Sequence, residues 1–183
     1  MAKKNKKPVY NPVSVLDVDL DHALLQQECV QLLERLGNPT QVCLQTATGE
    51  DDWLSGTGRC DTPKMYNIIN PSLANSYIEQ VLDLFPEYYR WRLLTLESRR
   101  IYSVHSDLRP HSTQNLRLHI PISTSPHAHM QFWEKYPHDG VHTVRVQHLA
   151  AGAVYTVDTS GLHTAVNTGH QPRIHLVGEH DLE

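Results

Sequence analysis

Cysteine is scarce in this chain of 183 residues, and the little present is wrongly spaced for either a disulfide framework or a zinc knuckle. Cys29, Cys43 and Cys60 make an odd number, and no two of them form a CxxC pair. A reducing cytoplasm is the compartment this usage predicts. Long apolar runs are missing too. None reaches the roughly 18 residues that a membrane-spanning helix needs, and the N-terminus lacks the apolar segment of a signal peptide. The expectation is a soluble, unexported protein with no membrane partner. Positive charge is thin as well. There are 16 Lys and Arg against 20 Asp and Glu, for a net charge of −4, and Lys3, Lys4, Lys6 and Lys7 crowd into the N-terminal arm. The remainder is acidic, which argues against a nucleic-acid groove in the folded part. Residues 1–12 read as a loose basic arm, which alone could touch an anionic partner.

Histidine, by contrast, is abundant: 13 residues, each a transition-metal ligand or general base by chemistry, although most are expected to serve packing or the surface. The length suits one sizeable core, so residues 13–183 read as one domain, with helical and loop support over 13–89 and a strand-rich core over 90–178. Leu24, Leu25, Leu32, Leu33 and Leu36 recur at helical spacing over residues 21–36, with Asp21 to cap and Gly37 just past the end. A second helix is expected to open at Asn70-Pro71 and to carry Leu73, Tyr77, Ile78, Val81 and Leu82 until Pro86. After Pro86 the apolar period falls from about 3.6 to about 2. Strands are expected at 90–96, 100–105, 115–122, 127–134, 142–149, 153–158, 163–167 and 173–177, separated by Gly and Pro. Short strands at this spacing predict a mainly β fold, a barrel or a double-sheet jelly roll, with packing helices in the N-terminal half. The aperiodic stretch 46–70 reads equally as a lid or as a surface excursion anchored by Trp53.

Alternation in the run NLRLHIPI puts Leu116, Leu118, Ile120 and Ile122 on one face, and Arg117 and His119 on the other. A solvent face would tolerate an imidazole beside a guanidinium, and the pair also suits an interior cavity that binds an anion. The run RIHLV repeats the pattern with Arg173 and His175. Just upstream of the first lies His105-Ser106-Asp107. An HxD on an extended segment sends both ligating groups to one side, but about one such triplet is expected by chance in a chain of this composition. His163, after Gly161, can supply a third ligand, and two His with one carboxylate make a facial triad with open positions on iron.

With VHSD, LRLHIPI, AGAVYTVDTSGLHTAVN and RIHLV, residues 90–177 resemble the aspartyl/asparaginyl β-hydroxylases and bacterial proline hydroxylases among the Fe(II)/2-oxoglutarate-dependent oxygenases. The resemblance implies a double-stranded β-helix (jelly roll, cupin-like) and Fe(II) held by His105, Asp107 and His163. It also implies 2-oxoglutarate bound by Arg117, His119 and Arg173, and consumption of O2 with release of succinate and CO2. Asp107 sets the chain apart from the animal β-hydroxylases, which manage with two histidines, and aligns it with the proline hydroxylases. No catalytic residue beyond the metal ligands is implied. The expected activity is hydroxylation of an amino-acid side chain in a free amino acid, peptide or protein. Trp53, Arg59, Tyr102, Arg109 and Trp133 are the candidate substrate contacts, each with an equal claim to a packing role. Two rival readings stand beside this one: a cupin-like metal enzyme of another class, which would not need Arg173, and a non-catalytic β-sandwich that binds a ligand or partner.

Overall fold

A computed structural model describes residues 11–58, 62–109, 112–135 and 142–180. Most of the basic arm (residues 1–10), Arg59 and Cys60 therefore lie outside the described residues. Among the described residues, twelve strands and two α-helices follow in chain order: β1 (Val13–Leu16), α1 (His22–Arg35), β2 (Gln41–Cys43), β3 (Gln45–Thr46), β4 (Ile68–Ile69), α2 (Tyr77–Asp83), β5 (Tyr88–Leu96), β6 (Arg100–Ile101), β7 (Leu116–Ser123), β8 (Ala128–Lys135), β9 (His142–Gln147), β10 (Val154–Asp158), β11 (His163–Asn167) and β12 (Arg173–His180). The pairing is antiparallel throughout. A six-stranded sheet runs β1-β10-β7-β12-β5-β2, a four-stranded sheet runs β6-β11-β8-β9, and β3 and β4 form a small ribbon. This is the jelly-roll architecture expected from the strand pattern.

The large sheet has two differently used faces. Trp91, Leu93, Leu118, Ile120, Ile122 and Leu176 pack under the helices against Leu25, Cys29, Leu32, Leu33, Ile78, Val81 and Leu82. The alternate residues of the same strands, Arg92, Leu94, Arg117, His119 and Arg173 among them, look into a cavity of about 490 Å³ between the sheets. Period-two alternation on β5, β7 and β12 thus separates core from cavity. Asp21 caps α1 by accepting from the Leu24 amide at 2.9 Å, and Gly37 takes φ 81° just beyond it.

Several boundaries differ from expectation. The second helix begins at Tyr77 and not at Pro71. A 3₁₀ turn at Pro71–Leu73 is cut off by Asn75 at φ 63°, after which Ser76 caps α2 by accepting from the Glu79 amide. Leu24 is 38% exposed, and Cys29 takes the core position expected of it. The strand expected at 100–105 shrinks to two residues plus an isolated bridge at His105. The strand expected to end at Val177 runs on to His180 through Gly178. Strands β1 to β4 were not foreseen, because two- to four-residue strands carry too little alternation to be seen in sequence.

Gly178 packs tightly against Trp91 in the large sheet. A Cβ there would lie 2.7 Å from Trp91 Cε2, and both residues sit where β5 and β12 slip register: Val177 pairs with Arg92, but Glu179 pairs with Tyr89. The extra residue on β5 is accommodated by Arg90 at φ 53°, left-handed for a side chain that rarely adopts it. Gly178→Ala is expected to lower stability by about 1–3 kcal/mol, the usual cost of overpacking. The measurement is urea unfolding, with a lower midpoint at unchanged slope.

Candidate active site

His105 and His163 face each other across an isolated antiparallel bridge: the His105 amide donates to the His163 carbonyl at 3.0 Å, and the His163 amide returns the bond at 2.8 Å. Two residues on, the Asp107 amide donates to the Thr159 carbonyl at 3.0 Å, and Ser106 Oγ donates to the Ser160 carbonyl at 2.7 Å. The HSD segment is therefore fastened to the turn between β10 and β11. The outcome is that the ligating atoms of His105, Asp107 and His163 lie within 4.8 Å of one another.

The ring hydrogen bonds decide what those atoms offer. His105 Nδ1 lies 2.7 Å from the Ser103 carbonyl oxygen, and His163 Nδ1 lies 3.0 Å from that of Gly161. A carbonyl only accepts, so each Nδ1 carries the proton and each neutral ring turns the Nε2 lone pair inward. Asp107 turns two oxygens to the same point, 3.6 Å from His105 Nε2 and 3.3 Å from His163 Nε2, and its Oδ2 is buried without a hydrogen bond. Lone pairs converging in this way repel one another unless a cation lies between them. Burial alone would raise the Asp107 carboxyl, but the Arg117 guanidinium beside it acts in the opposite direction and favours the carboxylate. The donor set, two imidazoles and a carboxylate on one side, fits iron(II).

Deeper in the cavity Arg173 is 5% exposed, and no carboxylate pairs with it among the described residues. Burial pulls its guanidinium down to about 10, still charged at neutral pH. Its one ring partner is His175, whose Nδ1 accepts from Arg173 at 2.9 Å. The same Nδ1 lies 3.3 Å from His119 Nδ1, which must be the donor of that pair, leaving Nε2 of both rings buried without a partner. Burial, and next to it Arg173, pushes both imidazoles well below the ordinary value of 6.5. Their folded-state values lie below the unfolded value, so between the two the unfolded chain holds more protons. This contribution to stability is complete above about 6.5 and is lost as pH falls. Chemical unfolding between pH 7.5 and about 5 should show this slope, and His175→Gln should flatten it.

Arg117 and His119 both line the cavity, on the side of β7 that alternation selects. Arg117 reaches Asp107 Oδ1 at 3.1 Å and Glu179 Oε1 at 3.4 Å. Glu179, 2% exposed, also accepts from Arg90 Nη1 at 2.7 Å and from Arg92. Arg90 further donates to the carbonyls of Gly56 and Gly58, which ties the end of the 46–58 stretch over the cavity. This cluster escaped sequence reasoning. The signal was present in YYRWRLL, where Arg90 and Arg92 alternate with Trp91 and Leu93, but Glu179 lay past the expected strand end at Val177.

Of the candidate substrate contacts, Tyr102 and Arg109 line the cavity. Trp53 and Trp133 do not. Trp53 packs against the helical core, with the Arg35 guanidinium 5.7 Å from its ring centroid. Trp133 lies on the outer face of β8, because Met130 and Phe132 alternate with it into the interior. Arg59 lies outside the described residues. Asn167 secures a turn: its Nδ2 donates to the carbonyls of Leu96, Glu97 and Gln171.

The sequence matches no protein-family model and no curated protein. In structure the chain shares the fold of 2-oxoglutarate-dependent non-heme iron enzymes. It is similar to the epimerase SnoN from nogalamycin biosynthesis, described as a non-heme α-ketoglutarate-dependent enzyme, at TM-score 0.57 and 13% identity over 93% of this chain and 77% of that one. A Burkholderia pseudomallei oxidoreductase of the 2OG-Fe(II) oxygenase family aligns at TM-score 0.52 and 12% identity, covering 92% and 84%. A Pseudomonas putida prolyl-4-hydroxylase aligns at TM-score 0.50 and 14% identity, covering 94% and 93%. At these identities the likeness is one of fold.

Proposed function

We propose that the protein is an Fe(II)/2-oxoglutarate-dependent dioxygenase that hydroxylates an amino-acid side chain, free or within a peptide or protein. One observation carries the reading: a single cavity is lined both by a converging His105/Asp107/His163 set and by Arg173, a buried cation that pairs with no carboxylate among the described residues. A cupin-like enzyme of another class would need the first and not the second. His105, Asp107 and His163 hold the metal. When bound, iron supplies the activation of dioxygen, coupled to conversion of 2-oxoglutarate to succinate and CO2 as a C–H bond becomes C–OH.

The chain's own residues bind and orient. Arg173 takes the far carboxylate of 2-oxoglutarate with a bidentate geometry that Lys lacks, and His175 fixes the guanidinium from behind. His119 stays neutral beside it, adding polarity without charge. Leu94, Leu96, Met130, Ala165 and Val177 keep water from the reacting centre. Tyr102 and Arg109 line the same cavity and are the candidate substrate contacts within it. The test is to load the protein anaerobically with Fe(II), admit O2 with 2-oxoglutarate and pools of amino acids and peptides, and assay succinate together with products heavier by one oxygen. Stoichiometric iron with 2-oxoglutarate-dependent succinate is expected. Absence of iron binding, or succinate formation with no oxygenated product from any pool, would overturn the reading.

A further inference from the structure

The cavity holds more positive than negative charge even after the proposed cosubstrate is counted. With Arg109 set aside, Arg90, Arg92, Arg117 and Arg173 line it against Asp107 and Glu179 among the described residues. A divalent metal and the dianion of 2-oxoglutarate cancel, so an excess of two positive charges survives loading. Buried charge without a partner is costly, and the structure shows where the cost is concentrated.

Arg90, Arg92 and Arg117 all converge on one oxygen, Oε1 of Glu179. Arg92 is 5% exposed, and the Nε of Arg92 and of Arg117 are both buried without an acceptor. An N–H of a charged group left unsatisfied in the interior calls for a ligand. This cluster is not the Arg173 locus. Arg173 pairs with Leu96 across the sheet and Val177 pairs with Arg92, so the two cationic centres start four residues apart, roughly 13 Å at about 3.3 Å per residue. Arg117 also reaches Asp107 of the metal set, so a short dianion between Arg173 and the metal can meet Arg117 but leaves Arg92, on the other side of Glu179, unserved. Leu94 and Val177 provide aliphatic wall beside it.

We infer that Arg92 and Arg117, gathered around Glu179, form a second anion site that receives a carboxylate of the substrate, so that the substrate is a small acid with an aliphatic body. The inference rests on the oxygenase reading for what fills the rest of the cavity. Arg92 is the specificity-determining residue, and Glu179 is a positioning residue that holds the guanidiniums in the absence of ligand and competes with its carboxylate.

Acetate is the minimal probe. Thermal unfolding of the full chain, with saturating 2-oxoglutarate under argon, is followed as sodium acetate replaces sodium chloride at constant ionic strength. The wild type should show a saturable rise in Tm. Arg92→Gln should abolish that rise while keeping the separate stabilisation by 2-oxoglutarate, and Arg173→Gln should do the reverse. Glu179→Gln, which removes the internal competitor, should bring half-saturation to a severalfold lower acetate concentration, and it decides the matter if Arg92→Gln does not fold. A missing acetate response, one unchanged in Arg92→Gln, or one weakened or unchanged in Glu179→Gln overturns the site. A larger response to phosphate than to acetate overturns the carboxylate assignment. If 2-oxoglutarate fails to stabilise the wild type while acetate still acts through Arg92, the second site stands and the cosubstrate reading falls.

Discussion

Replacing Asp107 with alanine should strip most of the iron from the protein and end 2-oxoglutarate-dependent succinate formation. The carboxylate is the only anionic member of the proposed ligand set, and its two oxygens are what the two imidazole lone pairs converge upon. Loss of a mere supporting partner of a metal ligand costs roughly 10–100-fold in affinity, so loss of the ligand itself should cost at least that. The competing role, a loop cap, separates cleanly from this one. The segment is held by the Asp107 main-chain amide and by Ser106 Oγ, both of which survive in the alanine variant, so stability should change little. Iron content and succinate formation are the readouts. Full occupancy with undiminished turnover would make this a two-histidine site. Asp107→Gly would go further and open a coordination position for halide.

Arg173→Ala should act on the other half of the cavity and with an unusual pair of signs. Removing a charge-assisted partner of a bound anion costs about 2–5 kcal/mol, so 2-oxoglutarate affinity should drop by tens to thousands of fold, while iron binding stays nearly intact. Yet the ligand-free protein should become no less stable, and can gain stability, because the change deletes a buried charge that no carboxylate neutralises among the described residues. A titration of 2-oxoglutarate and a thermal melt without it read the two effects separately. Unchanged cosubstrate affinity would remove Arg173 from its role.

What could be read from the sequence, and what could not, follows from how far each interaction reaches. Alternation is local, so LRLHIPI and RIHLV disclosed which side chains leave the core, and Arg117, His119 and Arg173 do face the cavity. The strand order, and the bridge that sets His105 opposite His163, depend on pairings across 58 positions and left no trace in spacing beyond the HxD triplet itself. Glu179 was hidden for a different reason. A glycine weakens the strand pattern in sequence, and here Gly178 sits inside the strand because Trp91 approaches it closely. Trp53 and Trp133 stayed open between two roles because a tryptophan in a loop or at a strand edge looks alike in sequence whether it packs or binds; the contact with Arg35 and the outward alternation on β8 show where the two side chains sit.

The paired main-chain hydrogen bonds between His105 and His163 make the spacing of the two imidazoles a property of the backbone. Many small metal domains gain their fold from the ion, so chelation unfolds them. Here the scaffold is assembled by the sheets, and the ion would enter a finished mould. If the proposed metal site holds, chelation and refilling are expected to be a reversible exchange at constant fold, in which one divalent ion can be swapped for another and the preparations compared directly.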